Sequence, residues 1–448
     1  MFEKYSEMIE QMDPIKYTGT VRRVKGLLIE SHGPQVVVGE SCQIVLPDEE
    51  RTVGAEVIGF NDTSVQLMAF DQMEGIEPGC QVVAMGEPLT VPVSDHLKGR
   101  VLNAMGKPID GKGSIGSAVG ASTNNTPPNV LFRKTIDDRM VTGVRSLDAM
   151  TPVGKGQRIG IFSGSGVGKS TLLGMIARNT AADVNVIALI GERGREVREF
   201  IEQDLGEEGL KRSILVVSTS DTSPLARVRG AFVATAIAEY FREQGQDVML
   251  LFDSITRFAR AQREIGLTLG EPPATRGYTP SVFSILPKLL ERCGNSEKGT
   301  ITGFYTILVE GDDMDEPVSD TVRGILDGHI VLSRKLAQAY HYPAIDVLAS
   351  LSRLGRKVTG REEQNAAGRI RRLLATYTDS EDLINVGAYA EGSNSEIDEA
   401  IEKIDDIWDF LGQEIEEKAH LRDTIQRMAQ IAGIEVPLPE EVDAEVSV

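Results

Sequence analysis

The residues with the clearest chemistry lie in one short glycine-rich segment: Ser163, Gly164, Ser165, Gly166, Val167, Gly168, Lys169, Ser170 and Thr171. The apolar run Ile159–Phe162 precedes it as a predicted buried strand, and Leu172–Asn179 follows it as a predicted helix. A strand, a glycine-rich turn and a helix start indicate a phosphate-binding loop, whose backbone N–H groups converge on a di- or triphosphate. In such a loop Lys169 would reach the β- and γ-phosphates, and the Ser170 hydroxyl would bind Mg²⁺.

The first position of this segment departs from the usual pattern. Ser163 stands where the strict G-x-x-x-x-G-K-[ST] motif has glycine, and serine tolerates a positive φ less well than glycine does. The loop alone therefore leaves open a glycine-rich turn that binds no ligand.

Two further apolar strands end near carboxylates that would complete a hydrolytic site. Val248–Phe252 is followed by Asp253, the form expected of a Walker B aspartate near Mg²⁺. A turn residue or a helix N-cap is the alternative interpretation of Asp253. Glu192 follows another apolar strand and is a candidate general base for the attacking water. The alternative for Glu192 is a salt bridge with Arg193 or Arg195.

The composition indicates a large globular protein. A length of 448 residues predicts about three domains, and the contents of 41% hydrophobic and 25% charged residues are ordinary. The formal net charge of −20 disfavours nucleic acid as a partner, because phosphate binding needs basic surface. Cys42, Cys80 and Cys293 lie far apart, which argues against disulfides and a zinc site. No apolar leader or membrane-length apolar run occurs, so we expect a cytoplasmic protein.

The strand and helix patterns divide the chain into four predicted parts. Short β-rich runs, separated by turn residues, predict an all-β barrel or sandwich: residues 19–24, 27–29, 35–38, 42–46, 55–60, 64–68 and 81–85. A loop-dominated connection follows at residues 99–128. Alternating strands and helices then predict a mostly parallel sheet covered on both faces. The expected boundaries are a docking segment at 1–17, the barrel at 18–95, a P-loop ATPase domain at 96–360 and a helical domain with an acidic tail at 361–448.

The predicted sheet and helices have explicit bounds. The strands are Ile159–Phe162, Val184–Ile190, Ser213–Val217, Val248–Phe252, Ile301–Val309 and His329–Leu332. The helices between them include Glu196–Glu202, Leu225–Gln244, Ile255–Glu264 and Pro280–Cys293. Two further helices are expected after residue 360, one over 397–415 and one over 420–432. An apolar stripe of Phe2, Tyr5, Met8, Ile9 and Met12 fits a partner-docking helix and a frayed terminus equally well.

Several motifs occur in an order that resembles the rotary-ATPase superfamily, which contains ATP synthase subunits and type III export ATPases. They are residues 99–111, 142–148, 151–158, 165–170, 191–193, 251–257 and 342–353. Within that superfamily, residues 270–283, 309–317, 327–334 and 384–398 are similar to the flagellar export ATPases of the type III secretion ATPase family. The acidic lever segment of synthase β subunits is not found. The resemblance implies a RecA-like P-loop core between an all-β barrel and a small helical domain.

The resemblance also implies roles and partners. Lys169 would contact the phosphates of ATP, Ser170 and Asp253 would bind Mg²⁺, and Glu192 would activate water. Tyr342 would stack on the adenine, and Arg353 would be an arginine finger that reaches the neighbouring subunit's γ-phosphate. A homohexamer is therefore expected. The further implied partners are a stator-like regulator at the N-terminus, a central stalk protein, the export gate, and export chaperones and cargo, with peripheral association at the inner face of the cell membrane.

Other functions share the same chemistry. A virulence-type secretion ATPase and the catalytic subunit of an ion-translocating synthase are the nearer alternatives to export of flagellar proteins. A hexameric RNA translocase is a distant one, because it would need a basic and aromatic N-terminal barrel.

Overall fold

The computed structural model describes residues 17–439, except 49, 310 and 312. The first domain is a closed barrel with strand order β1-β2-β5-β4-β3-β6. Its strands are β1 (Thr18–Lys25), β2 (Leu28–His32), β3 (Glu40–Val45), β4 (Thr52–Asn61), β5 (Ser64–Ala69) and β6 (Gln81–Pro88). Apolar side chains that alternate along these strands fill the interior, among them Ile29, Ile44 and Leu67. The barrel expected from the sequence is confirmed.

The run at residues 35–38 is not a strand, which corrects one prediction. Its backbone is irregular, and Val37 and Val38 are exposed. The carboxylate of Glu40 accepts hydrogen bonds from the N–H groups of Val37 and Gly86. These bonds hold the segment in a loop before β3 although its residues favour strands.

A second sheet forms the centre of the molecule. The remaining strands are β7 (Thr90–Val93), β8 (Val101–Asn103), β9 (Val119–Ser122), β10 (Arg139–Met140), β11 (Val153–Gly154), β12 (Arg158–Ser163), β13 (Val184–Ile190), β14 (Ser213–Ser218), β15 (Asp247–Asp253), β16 (Gly294–Asn295), β17 (Thr300–Leu308), β18 (Gly328–Leu332) and β19 (Ile345–Ser352). The central order is β19-β18-β12-β17-β15-β13-β14-β8, with β16 beside β17, whereas β7 pairs with β9 and β10 with β11 in two separate small sheets. The path from β18 to β8 is parallel, whereas β19 and β16 run antiparallel to their partners.

The helices cover both faces of this sheet. They are α1 (Arg145–Met150), α2 (Lys169–Asn179), α3 (Gly194–Glu199), α4 (Gly206–Lys211), α5 (Pro224–Glu243), α6 (Ile255–Thr268), α7 (Pro280–Leu290), α8 (Pro317–Ile325), α9 (Arg334–Gln338), α10 (Arg361–Asn385), α11 (Ser395–Leu411) and α12 (Leu421–Ala432). Short 3₁₀ turns lie at Asp95–Leu97, Val130–Phe132, Thr275–Gly277 and Gly355–Lys357. A π-helical turn, Phe200–Leu205, joins α3 to α4.

Alternate residues of the buried strands divide between two cores. Val186 and Ala188 of β13 face a core shared with α5 and α6, whereas Ile187 and Leu189 face the opposite core. The opposite core also contains the inner faces of α2, α10 and α11, represented by Ile176. A parallel sheet buried on both faces favours apolar residues at most positions, which explains the nearly continuous apolar runs in the sequence.

Some elements differ from the sequence-based expectations. The helix expected over 397–415 is α11, which ends at Leu411 because the chain becomes extended at Gly412. Helix α10 was not among the two helices expected after residue 360. Val101–Asn103, expected within a loop-dominated connection, forms the parallel edge strand β8. Residues 345–352, expected outside any strand, form β19 on the other edge. The helix predicted over Glu196–Glu202 runs as α3 into the π-helical turn, because the P-loop helix packs on that turn. The apolar N-terminal stripe and the acidic tail from 440 lie outside the described residues.

Within residues 17–439, apart from the three omitted positions, no helix combines the length and hydropathy needed to cross a membrane.

Candidate active site

The glycine-rich segment forms the turn between β12 and α2 and has room for a ligand. Gly166 and Gly168 adopt φ values of +76° and +88°, which only glycine adopts without strain. A Cβ on Gly166 would meet no atom within 4 Å, so the space beside the loop at this position is open. The buried Ser163 hydroxyl has no hydrogen-bond partner. Helix α2 begins at Lys169, and its unpaired N–H groups favour an anion there.

Lys169 and Asp253 meet at the carboxyl ends of the parallel strands. The Lys169 Nζ atom lies 2.5 Å from Asp253 Oδ1 and 3.8 Å from Glu192 Oε1. Burial alone would lower the pKa of Lys169, but the two carboxylates raise it. Thr306 on β17 donates to the same Asp253 oxygen at 2.7 Å. The two carboxylates therefore hold the Lys169 ammonium group beside the phosphate-binding loop. The bonds from Lys169 and Thr306 fix the orientation of the Asp253 carboxylate.

Glu192 forms its ion pair with Arg257. Arg257 donates through Nε and Nη2 to the two Glu192 oxygens at 2.9 and 3.1 Å. Arg193 and Arg195 instead pair with Glu196 and Glu199 on α3, so neither of these neighbours is the salt-bridge partner that the sequence left open.

The environment of Glu192 raises its pKa to about 7. Burial is the largest cause, and the nearby Asp253 charge and a hydrogen bond with Glu196 act in the same direction. Lys169 and Arg257 oppose them. A carboxyl group with a pKa near neutral pH can accept a proton from water and release it again, as a general base must.

Tyr342 lies beside the glycine-rich loop, next to Gly168. Its ring is close enough that a Cβ on Gly168 would meet it at 3.4 Å. Tyr342, Gly166 and Thr171 line one cleft of about 980 Å³, large enough for a nucleotide. The side chain is 40% exposed, so one face of the ring is available to an aromatic ligand.

The helical domain closes one side of this cleft. Gln413, which follows α11, donates its backbone N–H to the Tyr342 carbonyl at 2.9 Å. Its side-chain amide also bonds Gly143, Arg145 and Glu417. Gln413 thereby joins the helical domain to the tyrosine loop.

Arg353 lies far from the other candidate residues. It follows the last residue of β19, and its backbone N–H donates to the Asp327 carbonyl just before β18. The P-loop begins at the opposite end of β12, which spans six residues and therefore about 15–20 Å. The Arg353 side chain is exposed and donates to the Arg323 carbonyl at 3.3 Å.

The arrangement fits a nucleotide with one bound Mg²⁺. Among residues 17–439, less the three omitted positions, no group of three or more His, Cys, Asp or Glu side chains could hold a metal ion. Mg²⁺ commonly takes one or two protein oxygens and completes its shell with phosphate and water. The Ser170 hydroxyl at the start of α2 and the Asp253 carboxylate supply such oxygens.

Three residues of the site had been missed. Arg257 had a signal in the sequence, since it follows Asp253 by four residues and therefore lies on the first turn of α6. Thr306 and Gln413 come from distant elements, and neither has a local pattern that indicates its contact.

Comparison with known proteins identifies each region. Residues 21–86 match the ATP synthase alpha/beta family, beta-barrel domain, and 143–352 match its nucleotide-binding domain. Residues 359–430 match the T3SS EscN ATPase C-terminal domain. The chain is 58% identical to a flagellum-specific ATP synthase of Treponema pallidum (strain Nichols) over 97% of this chain and 98% of that protein. It is 49% identical to a type 3 secretion system ATPase of Xanthomonas euvesicatoria, with coverages of 92% and 93%.

A solved structure has the same fold over most of the chain. The ATPase EscN, assembled and in complex with its central stalk EscO from the enteropathogenic E. coli type III secretion system, has a TM-score of 0.86 and 42% sequence identity. The match covers 92% of this chain and 100% of that chain.

Proposed function

The chain belongs to the family of flagellum-specific ATP synthases and type III secretion system ATPases, and we propose that it hydrolyses Mg²⁺-bound ATP at sites shared between neighbouring copies to energise export of flagellar proteins. One observation carries the shared-site part of the proposal. Lys169, Glu192 and Asp253 lie at the carboxyl ends of the parallel strands, whereas Arg353 lies at their amino ends. Its higher identity to the flagellar relative, 58% against 49%, supports a flagellar rather than a virulence role.

Each residue has a role that its surroundings support. The N–H groups of residues 163–171 bind the phosphates, and Lys169 turns from Asp253 to the β- and γ-phosphates. Ser170 and Asp253 hold Mg²⁺, which neutralises phosphate charge when it is bound. Tyr342 packs against the adenine. These residues orient the terminal phosphate before any bond changes.

Glu192 supplies the proton acceptor. Its carboxylate receives a proton from the attacking water as the water oxygen bonds to the γ-phosphorus and the bond to the β–γ bridging oxygen breaks. ADP and phosphate are the products. Arg257 keeps the Glu192 carboxylate in one orientation through its two hydrogen bonds.

Arg353 acts on the site of a neighbouring copy. The Arg353 guanidinium cannot reach the phosphate loop of its own copy, because the length of the sheet separates them. Its exposed side chain can instead face the next copy. A copy with a phosphate loop on one side and an arginine on the other forms a head-to-tail contact, and such contacts form a ring when the rotation between copies closes. We infer a homohexamer on this basis.

We infer the remaining partners from the family. The relative EscN, assembled with a central stalk, supports a stalk protein in the ring of this chain. We place the protein in the cytoplasm at the inner face of the cell membrane, where the export gate, chaperones and cargo meet it, with a stator-like regulator at the N-terminus. Nucleic acid is not proposed as a partner, since the net charge is −20.

A subunit-mixing experiment tests the shared site. Lys169→Ala and Arg353→Ala should each lose ATPase activity as pure proteins. When equal amounts are assembled together, about one quarter of the interfaces pair an intact loop with an intact finger, so activity should return.

The matched control mixes Lys169→Ala with Glu192→Gln. Both changes affect the same half of the site, so no interface is complete and the mixture should stay inactive. Failure of the first mixture to exceed its parents, or equal recovery in both mixtures, would refute the shared site.

A further inference from the structure

Tyr340 ends helix α9 in a strained conformation. Its N–H donates to the Ala337 carbonyl at 3.1 Å, and the next N–H, that of His341, donates to the Leu336 carbonyl at 3.0 Å. This pattern is a Schellman cap, whose left-handed position is usually glycine and sometimes asparagine. The φ of Tyr340 is +59°, so its Cβ crowds the backbone in a way that glycine avoids.

Burial within the chain does not compensate this strain. Tyr340 is 91% exposed, although tyrosine is among the larger apolar side chains. Its ring meets the ring of Tyr342 edge to face, with centroids 6.4 Å apart and planes at 88°. Strained residues of this type concentrate at ligand-binding sites, where the conformation serves a contact.

The position of the ring indicates which contact. Tyr340 lines the same cleft as Tyr342, Gly168 and Thr171. Because the two rings stand at a right angle, they form a corner with one wall from each tyrosine. A planar base stacked on Tyr342 would have its side against Tyr340.

We propose that Tyr340 is the second aromatic wall of the base-binding corner and makes the site favour triphosphates that carry a planar base. The proposal rests on the proposed function, since it needs a nucleotide at the phosphate loop. Tyr340 is a positioning residue here, because it acts on the base and not on the reacting phosphate.

The test compares two variants for binding of ATP and of inorganic tripolyphosphate, which has no base. Tyr340→Asn removes the ring but keeps a residue that accepts the left-handed backbone. We expect about fivefold weaker ATP binding, in the range of one aromatic contact, with tripolyphosphate binding unchanged. The thermal midpoint should stay equal or rise, because strain is relieved. Tyr340→Phe keeps the ring and should bind both ligands like the parent protein.

Other outcomes would overturn the proposal. If Tyr340→Asn binds ATP with the affinity of the parent protein, Tyr340 is not a second contact for the base. Equal weakening of ATP and tripolyphosphate would assign the ring a general effect on the loop. Weaker assembly with unchanged ATP affinity would show that the ring packs on a neighbouring copy.

Lys169→Ala distinguishes this proposal from the one on which it rests. If Lys169→Ala binds ATP like the parent, the phosphate-loop site itself is wrong. If Lys169→Ala loses ATP binding while Tyr340→Asn does not, only the second wall is wrong.

Discussion

Replacing Arg257 by Gln should move the pH dependence of ATP hydrolysis without abolishing it. Arg257 binds both oxygens of Glu192 and stabilises the charged carboxylate. Removing this positive charge favours the protonated form, so the pKa of Glu192 should rise above its value of about 7. A general base is active only when it is deprotonated, and the acidic limb of the rate profile should therefore move to higher pH.

The magnitude follows from the charges that remain. An adjacent arginine lowers a carboxyl pKa by about 1–3 units, and we expect the lower end because Lys169 still faces Glu192 at 3.8 Å. A rise of about one unit reduces the deprotonated fraction at pH 7 from about a half to about a tenth. The rate should thus fall about fivefold at pH 7 and about tenfold at pH 6, while little of this pH-dependent loss should remain at pH 9.

The assay is kcat/KM for ATP between pH 5.5 and 9, because this quantity reports ionisation in the free enzyme. Arg195→Gln is the matched control, since Arg195 is a nearby exposed arginine that pairs with Glu199. Glu192→Gln should lower the plateau by about 10²–10⁴-fold and remove the limb. A limb that stays in place or moves to lower pH in Arg257→Gln, or that moves equally in Arg195→Gln, would refute the reasoning.

Two further predictions concern support of the site. Glu56 of the barrel, 3% exposed, forms a two-pronged ion pair with Arg229 on α5; Glu56→Ala should cost about 3–5 kcal/mol in the free energy of unfolding, as for other broken buried pairs. Urea denaturation measures this loss, and the exposed Glu208→Ala should leave the midpoint unchanged; equal midpoints for the two would contradict it. Thr306→Val removes a hydrogen bond to Asp253 and should raise the Mg²⁺ concentration for half-maximal ATPase activity about tenfold. An unchanged Mg²⁺ titration would show that Thr306 does not orient Asp253.

The sequence was most informative where a strand is buried on both faces. The predicted strand Val184–Ile190 has the same bounds in the structure, because all of its residues are buried and all but Asn185 are apolar. Helix α5 was predicted within one residue at each end. Ser223 caps its N-terminus, and Pro224 occupies the first turn. Continuous hydrophobicity and helix caps are local signals, and local signals can be recognised in one sequence.

Contacts between different elements were less predictable. Glu192 and Asp253 could be predicted as site residues, because carboxylates at the carboxyl ends of neighbouring parallel strands lie close together. The ion-pair partner of Glu192 could not be predicted from its neighbours in the chain, since Arg193 pairs with Glu196 on the surface of α3. Arg257 comes from the next strand–helix unit, and only the order β15–β13 places it beside Glu192.

The missed strand β19 separates the two halves of the proposed site. Polar Asp346, Ser350 and Ser352 interrupt its apolar pattern, and an antiparallel edge strand needs only one buried face. Its first residue pairs near the phosphate-loop end of β18, and its last pairs at the opposite end. Tyr342 therefore precedes β19 at the carboxyl ends of the parallel strands, and Arg353 follows it at their amino ends. Eight extended residues keep the proposed base-binding side chain of Tyr342 and the proposed finger Arg353 about 25 Å apart, so one copy cannot use both at the same nucleotide.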